Sequence, residues 1–385
     1  MKILINAVSA KLGGAATYIH NLARALPQFA ERSDQFVFVA PSAHKLDAQS
    51  QQVSVITSDA ATGSYARRWW WDQVDLRGIV ERERPDALFS SANFAMLRCP
   101  CPQVLLVRNP IYFSREYLEY VLPQHGVALR AETAVRRWLV AQSVAAADCV
   151  MTPSRTMLDD LRRFMRIAES RACVNPYGVP ASRVLPGVRQ QCTTPPLRLL
   201  WVSHYADHKN LPAMLEAARI LRERAAFPFT LTLTLDPQGA GQHTPMPAHE
   251  RAALDSLRDV VRLAGVQSYE ATWKMYSEAD GFLFPSLTES FGHPLVEAMA
   301  SQLPIIASDI SIHREICGDA ALYFSPRCAQ SLAAQISRLA GNPGERRRLA
   351  ELGRERVKQF LWEDHVVRLL AALRDTAQVR RARAA

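Results

Sequence analysis

Residues 281–299, GFLFPSLTESFGHPLVEAM, pass from a short apolar segment through a polar loop into a helix. GFLFPS (Gly281 to Ser286) is continuously apolar up to its last residue and reads as a strand buried on both faces, as in a parallel sheet covered by helices on each side. Pro294 suits the first helical position, where its missing N–H would have no intrahelical partner. The unit is therefore strand, loop, helix. Free N–H groups and the dipole at such a helix start attract phosphate, and Gly292 lets a ligand approach the backbone closely. Glu289 in the loop and Glu297 in the first helical turns flank this anion site. Two carboxylates cannot bind the anion, but they accept hydrogen bonds from hydroxyls on either side of it, which describes a sugar, a diphosphate and a nucleoside in a row. An ordinary βα unit with two solvated glutamates is the plain alternative, and it leaves Gly292 between the carboxylates unexplained.

The chain has 385 residues, 48% of them hydrophobic, enough for two domains with sizeable cores. No early segment combines a charged start, an apolar core and a small-residue cleavage site, and no apolar run nears the roughly 20 residues that span a bilayer, so a cytoplasmic protein is expected. Seven cysteines are an odd number without metal-ligand spacing; Cys99 and Cys101, separated by one proline, have no second such pair, and reduced thiols are expected. The net charge of +9 suits an anionic partner: a nucleotide-sugar, an anionic membrane or nucleic acid. No DNA- or RNA-binding signature accompanies it. The arginine clusters Arg67-Arg68, Arg136-Arg137, Arg162-Arg163 and Arg346 to Arg348 read either as binding patches or as solvated helix faces. Trp69 to Trp71 cannot all enter one core from a helix, so at least one faces a cleft, a partner or a membrane interface, or two pack and one stays partly exposed.

Strand and helix signals alternate along both halves, which argues α/β with parallel sheets. MKILINAV is a first strand, followed by a loop with Gly13-Gly14 and an amphipathic helix; the glycine pair fits either a ligand at the helix start or a tight turn. QFVFVA, VSVIT, Asp86 to Ser90 and Cys101 to Phe113 supply further strands, the last running into the loop Arg108-Asn109-Pro110. A helix is expected from about Val127 to Ala147, and Ser154 is an N-cap. CTTPPLR (Cys192 to Arg198) reads as a linker, placing a domain boundary near residues 180–196. The second half opens with LRLLWVSHYADHKNLPAM: a strand, a loop with His204 and Lys209, and a helix capped near Asn210. FTLTLTL, VVRLAGVQS with Gly265 at its tip, LPIIASD and GDAALYF continue the alternation, residues 236–250 form a polar excursion, and amphipathic helices end the chain. The absence of a GxGxxG argues against a dinucleotide dehydrogenase.

The E-x7-E spacing of ESFGHPLVEAM, with its Phe-Gly, Pro-Leu and Glu-Ala-Met, resembles the signature of the retaining family 4 (group 1) glycosyltransferases, which have the GT-B fold. The resemblance covers the whole chain and is densest from Val260 to Phe324. It implies two Rossmann-like domains facing a cleft: an acceptor-binding domain over 1–185, a nucleotide-sugar-binding domain over 196–360, and a C-terminal helix over 361–385 returning to the first. It implies Glu289 on the donor sugar's hydroxyls and Glu297 on the ribose. The amides of Ser290, Phe291, Gly292, His293, Leu295 and Val296 would lie along the diphosphate, with Lys209 also on it. Gly265 would lie near the base, and Gly13 and Gly14 near donor phosphate and acceptor. His204 falls where relatives carry an arginine, and a neutral histidine is a weaker anchor. Asn109, or Arg108, stands where many relatives have a histidine; Asn109 can hydrogen-bond a sugar hydroxyl but cannot carry a proton at neutral pH. The implied activity is transfer of a hexose from a GDP- or UDP-sugar, GDP-mannose among them, to a glycan or lipid-linked acceptor with retention of configuration, in bacterial surface polysaccharide or lipopolysaccharide synthesis. No cofactor, metal or nucleic acid is expected, and peripheral contact with the anionic inner face of the membrane is. A GT-B epimerase, a non-catalytic sugar-nucleotide-binding subunit and, on net charge alone, a nucleic-acid or membrane-surface binder are the alternatives.

Overall fold

The computed structural model describes the chain apart from residues 11–13, 44–45, 47–49, 61–64, 188, 190–194, 226, 237–245 and 385. The described residues form two compact units, Met1–Leu118 with Leu122–Pro176 and Glu363–Ala385, and Glu119–Val121 with Tyr177–Trp362.

In the first unit the chain runs β1 (Lys2–Asn6), α1 (Gly14–Phe29), β2 (Gln35–Ala40), β3 (Val53–Thr57), α2 (Tyr65–Gln73), α3 (Asp75–Glu83), β4 (Ala87–Ser90), β5 (Gln103–Leu106), α4 (Val127–Ala146), β6 (Cys149–Thr152), α5 (Arg155–Arg162) and β7 (Ala172–Val174). These strands make a seven-stranded sheet in the order β3-β2-β1-β4-β5-β6-β7, and every pairing is parallel. Alternation along each strand sends Leu4, Leu88, Leu105 and Val150 to one face, where they pack with Trp71, Leu76 and Val80 of α2 and α3 and with Val140 and Val144 of α4.

The second unit runs β8 (Leu197–Trp201), α6 (Leu211–Glu223), β9 (Phe229–Leu233), α7 (Ala248–Asp255), β10 (Val261–Leu263), α8 (Tyr269–Glu278), β11 (Gly281–Phe284), α9 (His293–Ala300), β12 (Ile305–Ser308), α10 (Ser311–Cys317), β13 (Ala321–Phe324), α11 (Ala329–Gly341) and α12 (Pro343–Arg356). Its strands form a six-stranded parallel sheet. Leu199, Trp201, Leu231 and Leu233 pack with α6 and α11 on one face, and Phe282 meets Tyr276 of α8 on the other.

The final helix, α13 (Trp362–Ala384), belongs to the first unit beyond its opening residue. His365, fully buried, shares a 3.0 Å hydrogen bond with Tyr18 of α1, and Asn175 Nδ2 donates to its carbonyl. Arg374 pairs with Asp34 at 2.8 Å, Arg380 with Asp148 at 3.0 Å, and Arg381 with Asp86.

The division between units falls at Pro176 and Tyr177, ahead of the 180–196 stretch expected from its prolines. The reason is packing: Leu185 N donates to Ala300 O, Arg189 N donates to Gln302 Oε1, and Gln302 Nε2 donates to the carbonyls of Leu185 and Gly187. Leu197 and Arg198 of the expected linker already belong to β8. Of the arginine clusters, Arg68 is buried in an ion pair with Asp72, one helical turn on, and Arg346 is buried and donates to the carbonyls of Leu339 and Ala340 at the end of α11. Trp71 is buried, Trp69 packs beside the core and Trp70 stands 62% exposed. Asn210 precedes α6 with φ of 57° and leaves its side chain off the helix, bonding instead to Pro285 O and Pro326 O, so the expected cap is absent.

The start of the second unit is locked to its end. Val179 N donates to Phe360 O and Trp362 N to Val179 O, and a side chain at Gly178 would meet Phe360 O at 2.4 Å and Leu361 C at 2.5 Å. Backbone cannot yield as a flexible side chain does, so Gly178→Ala is expected to destabilise the protein by about 3 kcal/mol. Denaturant unfolding measures it; a loss below about 0.5 kcal/mol, the range of neutral surface changes, would refute this account.

Candidate active site

The order β10-β9-β8-β11-β12-β13 reverses between β8 and β11. Ligands of open parallel sheets bind at such a reversal, outside the carboxyl ends of the strands. Two loops emerge there, 202–210 after β8 and 285–292 after β11, and they are joined through side chains and backbone. Lys209 Nζ donates to Glu289 Oε1 at 2.6 Å, Leu287 N donates to His208 O at 2.7 Å, and Asn210 Nδ2 donates to Pro285 O at 3.1 Å. The Lys209 and Glu289 side chains keep only 11% and 14% of their exposure.

Burial works to raise the Glu289 carboxyl, but the Lys209 ammonium, with further help from His208 and hydrogen bonding, overcomes it and holds the group at about 2. Burial and then the Lys209 charge push the His208 imidazole down to about 3. Burial likewise takes the enclosed His313 to about 4, with Nδ1 2.9 Å from Ser308 O. At neutral pH both imidazoles are neutral beside an ionised Lys209–Glu289 pair. His204, the histidine singled out in the sequence, is exposed, and His208 is the one against the pair. Nothing in the spacing separates the two, because the choice is made by contacts across loops.

Gly292 has φ of 91°, and a Cβ there would lie 3.1 Å from Leu295 Cδ1. The left-handed entry into α9 therefore demands glycine, whether or not a ligand approaches. Phe291, Leu295 and Val296 are buried, so their side chains serve the core: the Phe291 ring packs edge-on against Tyr177 and Phe360. Leu295 N is already bonded to Gly292 O at 2.9 Å and is not among the amides open to a diphosphate. His293 stacks on Tyr177 with centroids 4.7 Å apart, and Ser290 is half-buried. Glu297 accepts a 2.9 Å hydrogen bond from Tyr276 Oη; burial raises its carboxyl and Tyr276 partly offsets that. Gly265 follows β10 with φ of 69° and open space where a Cβ would be.

The sequence reading did not single out Arg183, whose guanidinium lies over Tyr269 at 5.2 Å and Trp273 at 5.3 Å. Tyr269, Trp273 and Tyr276 recur at helical spacing, a signal that marks one face of α8. In the first unit, Gly14 opens α1, while Gly13 lies outside the described residues. Asn109 caps a short helical turn, its Oδ1 accepting from Ile111 N at 3.3 Å, and Asn93 Oδ1 accepts from the amides of Arg108 and Asn109.

Residues 12–183 match the profile described as Glycosyltransferase Family 4, and residues 191–356 that described as Glycosyl transferases group 1. The chain belongs to the group 1 glycosyltransferases of family 4. Over 167 residues it is 31% identical to the MMP alpha-(1->4)-mannosyltransferase of Mycolicibacterium hassiacum (42% of this chain, 39% of that protein). Over 165 residues it is 26% identical to the O-antigen chain mannosyltransferase B of Escherichia coli (43% and 42%). It thus spans about two fifths of the length of these relatives. The fold is GT-B: sucrose-phosphate synthase from Thermosynechococcus elongatus superposes with a TM-score of 0.74 at 20% identity (97% of this chain, 98% of that one). Anabaena HepE in complex with UDP-glucose gives 0.67 at 17% (96% and 98%).

The buried ion pair fixes a dependence on acid. A carboxyl held at about 2 when folded and near 4.5 when unfolded contributes stability above pH 4.5 that is lost as pH falls towards 2. Glu289→Gln is expected to lose on the order of 3 kcal/mol at pH 7 and to show a shallower fall between pH 4.5 and 2. Urea unfolding at pH 7 and pH 3 tests this; an unchanged difference between the two would show that the pair is not formed.

Proposed function

We propose that the protein transfers a hexose from a nucleotide-diphosphate sugar to a glycan or lipid-linked acceptor, with retention of configuration, in surface polysaccharide synthesis on the cytoplasmic side of the membrane. The observation that carries this reading is the Lys209–Glu289 pair at the sheet's reversal, with Glu297 on the adjoining helix. The mannosyltransferase names of the relatives, and UDP-glucose in the HepE structure, favour the same donor class.

In this reading the donor's diphosphate takes Lys209 as a second partner, and the ammonium meets the charge that develops on the leaving phosphate. Glu289, already ionised, accepts hydrogen bonds from the sugar's hydroxyls and orients the ring, with Glu297 on the ribose. The leaving charge is met by Lys209 and backbone amides, with no metal required. Calorimetry with a panel of nucleotide-sugars, nucleoside diphosphates and nucleosides, run in chelator, tests this. Lys209→Ala is expected to weaken diphosphate binding by about 1.5–3 kcal/mol, the range of a charge-assisted hydrogen bond, and to leave bare nucleoside binding unchanged. Equal losses for both ligands, or binding that needs added divalent metal, would overturn the reading.

The acceptor side of the proposal rests on the first unit's surface. Among the described residues no helix is long and apolar enough to cross a membrane. α4 turns Val127, Ala128, Ala131, Ala134, Val135 and Trp138 outward, and Trp70 of α2 is exposed on the same side of the sheet, since Trp69 packs into the cluster that holds α4. Aromatic residues favour the lipid–water interface, and the chain's positive charge favours an anionic one. The docking residues are thus Trp70 and Trp138, in place of the buried Arg68 and the packed Trp69. Flotation with anionic liposomes at low salt is expected to carry the wild type upward and to leave Trp70→Ala/Trp138→Ala in the lower fractions. A wild type that stays at the bottom would point to a soluble acceptor.

A further inference from the structure

Cys99, Pro100 and Cys101 lead into β5 at its amino end. The two sulfurs lie 3.7 Å apart, with Cys99 half-buried, Pro100 exposed and Cys101 buried. One guanidinium from the last helix holds this turn. Arg380 Nη2 donates to Cys99 O at 2.7 Å, while Nη1 donates to Cys101 O at 2.6 Å and to Asp148 Oδ2 at 3.0 Å. Asp148 Oδ2 also accepts from Gln103 N, so the contact ties α13 to the starts of β5 and β6 together. Arg380 and Asp148 line a cavity of about 400 Å³ between α13 and the strands β6 and β7, with Cys149 and Cys173 on the same wall.

We propose that Cys99 and Cys101 are an oxidisable dithiol, which a hydroperoxide converts to a disulfide, and that oxidation releases Arg380 and with it the end of α13. Cys99 is the attacking group: it is half-buried where Cys101 is buried, the contact with Cys101 and the nearby Arg380 charge lower its pKa, and Cys101 is raised by that same contact and by burial. The Cys99 thiolate attacks the outer peroxide oxygen, the O–O bond breaks, and an alcohol leaves with a proton, giving a sulfenic acid. The Cys101 thiol then attacks that sulfur and water leaves, so two thiols and one hydroperoxide become a disulfide, an alcohol and water. Joining the sulfurs brings them to about 2 Å and turns the peptide units on either side of Pro100, and their carbonyls are the ones Arg380 holds. Disulfides that form in reducing compartments are usually transient and redox-sensing rather than structural bridges.

Trypsin tests this directly, because Arg98 and Arg108 bound a peptide, CPCPQVLLVR, that contains Cys99 and Cys101 and no other cysteine. Full-length protein treated with tert-butyl hydroperoxide and digested without reductant is expected to yield this peptide lighter by two hydrogens, reversed by dithiothreitol. Cys101→Ser is expected to stop at a Cys99 sulfenic acid trapped by dimedone, and Cys149→Ser to behave as wild type. Hydrogen exchange in residues 374–384 is expected to quicken about tenfold on oxidation, the loss of a charge-assisted hydrogen bond. Cys99 and Cys101 remaining open to alkylation, a bridge forming between Cys149 and Cys173 instead, or exchange unchanged in α13 would each overturn the proposal.

Discussion

Neither Lys209 nor Glu289 could be buried where it is without the other. Each charge would lose several kcal/mol of hydration, and the 2.6 Å contact returns that only because both loops emerge side by side from the reversal of the sheet. The parallel order sets the loops next to each other, Asn210 bonds one to the other, and the left-handed Gly292 ends the second loop so that α9 can start. A buried pair of this kind is a poor device for stability, since apolar residues would serve as well. Under the proposed function its value lies in a cation and an anion fixed at hydrogen-bond distance before any ligand arrives.

The alternation of strand and helix was legible because parallel strands covered on both faces are short apolar runs, and GFLF, LRLLW and PIIAS are such runs. The terminal helix and its return to the first unit were legible through the family resemblance. The contacts across loops were not. The family spacing names His204; only the folded loop shows that His208 is the one against Lys209, with His204 the more exposed. Gly292 was read as room for a ligand, and its positive φ and the nearby Leu295 side chain give it a reason internal to the protein. Arg68 looked like a surface cation, although Asp72 four residues later carried the signal of its burial.

Much of the chain's positive charge has a structural use that composition hides. Arg171 donates to carbonyls of Val144, Ala145 and Ala147 at the end of α4, Arg189 to those of Tyr276, Ser277 and Ala279 at the end of α8, and Arg356 to those of Glu315 and Ile316 in α10. With Arg346 at α11 these guanidiniums satisfy carbonyls that helices leave unpaired and sit at the negative ends of their dipoles. A count of arginines therefore overstates the charge available to an anionic partner, and exposed aromatic and apolar side chains are the better guide to where a lipid surface would meet the protein.

The first unit is interrupted. Its sheet and most of its helices come from the first 176 residues, its last helix from residues beyond 362, and the second unit, apart from Glu119–Val121, is inserted between them. During synthesis the β-sheet of the first unit leaves the ribosome long before α13, and until then Tyr18, Asp34, Asp86 and Asp148 wait without the partners that helix brings. The second unit, contiguous but for three residues, can complete itself first. The first unit's sheet is thus synthesised well before the helix that completes it, and a chain cut after residue 360 leaves the amino-terminal unit without that helix.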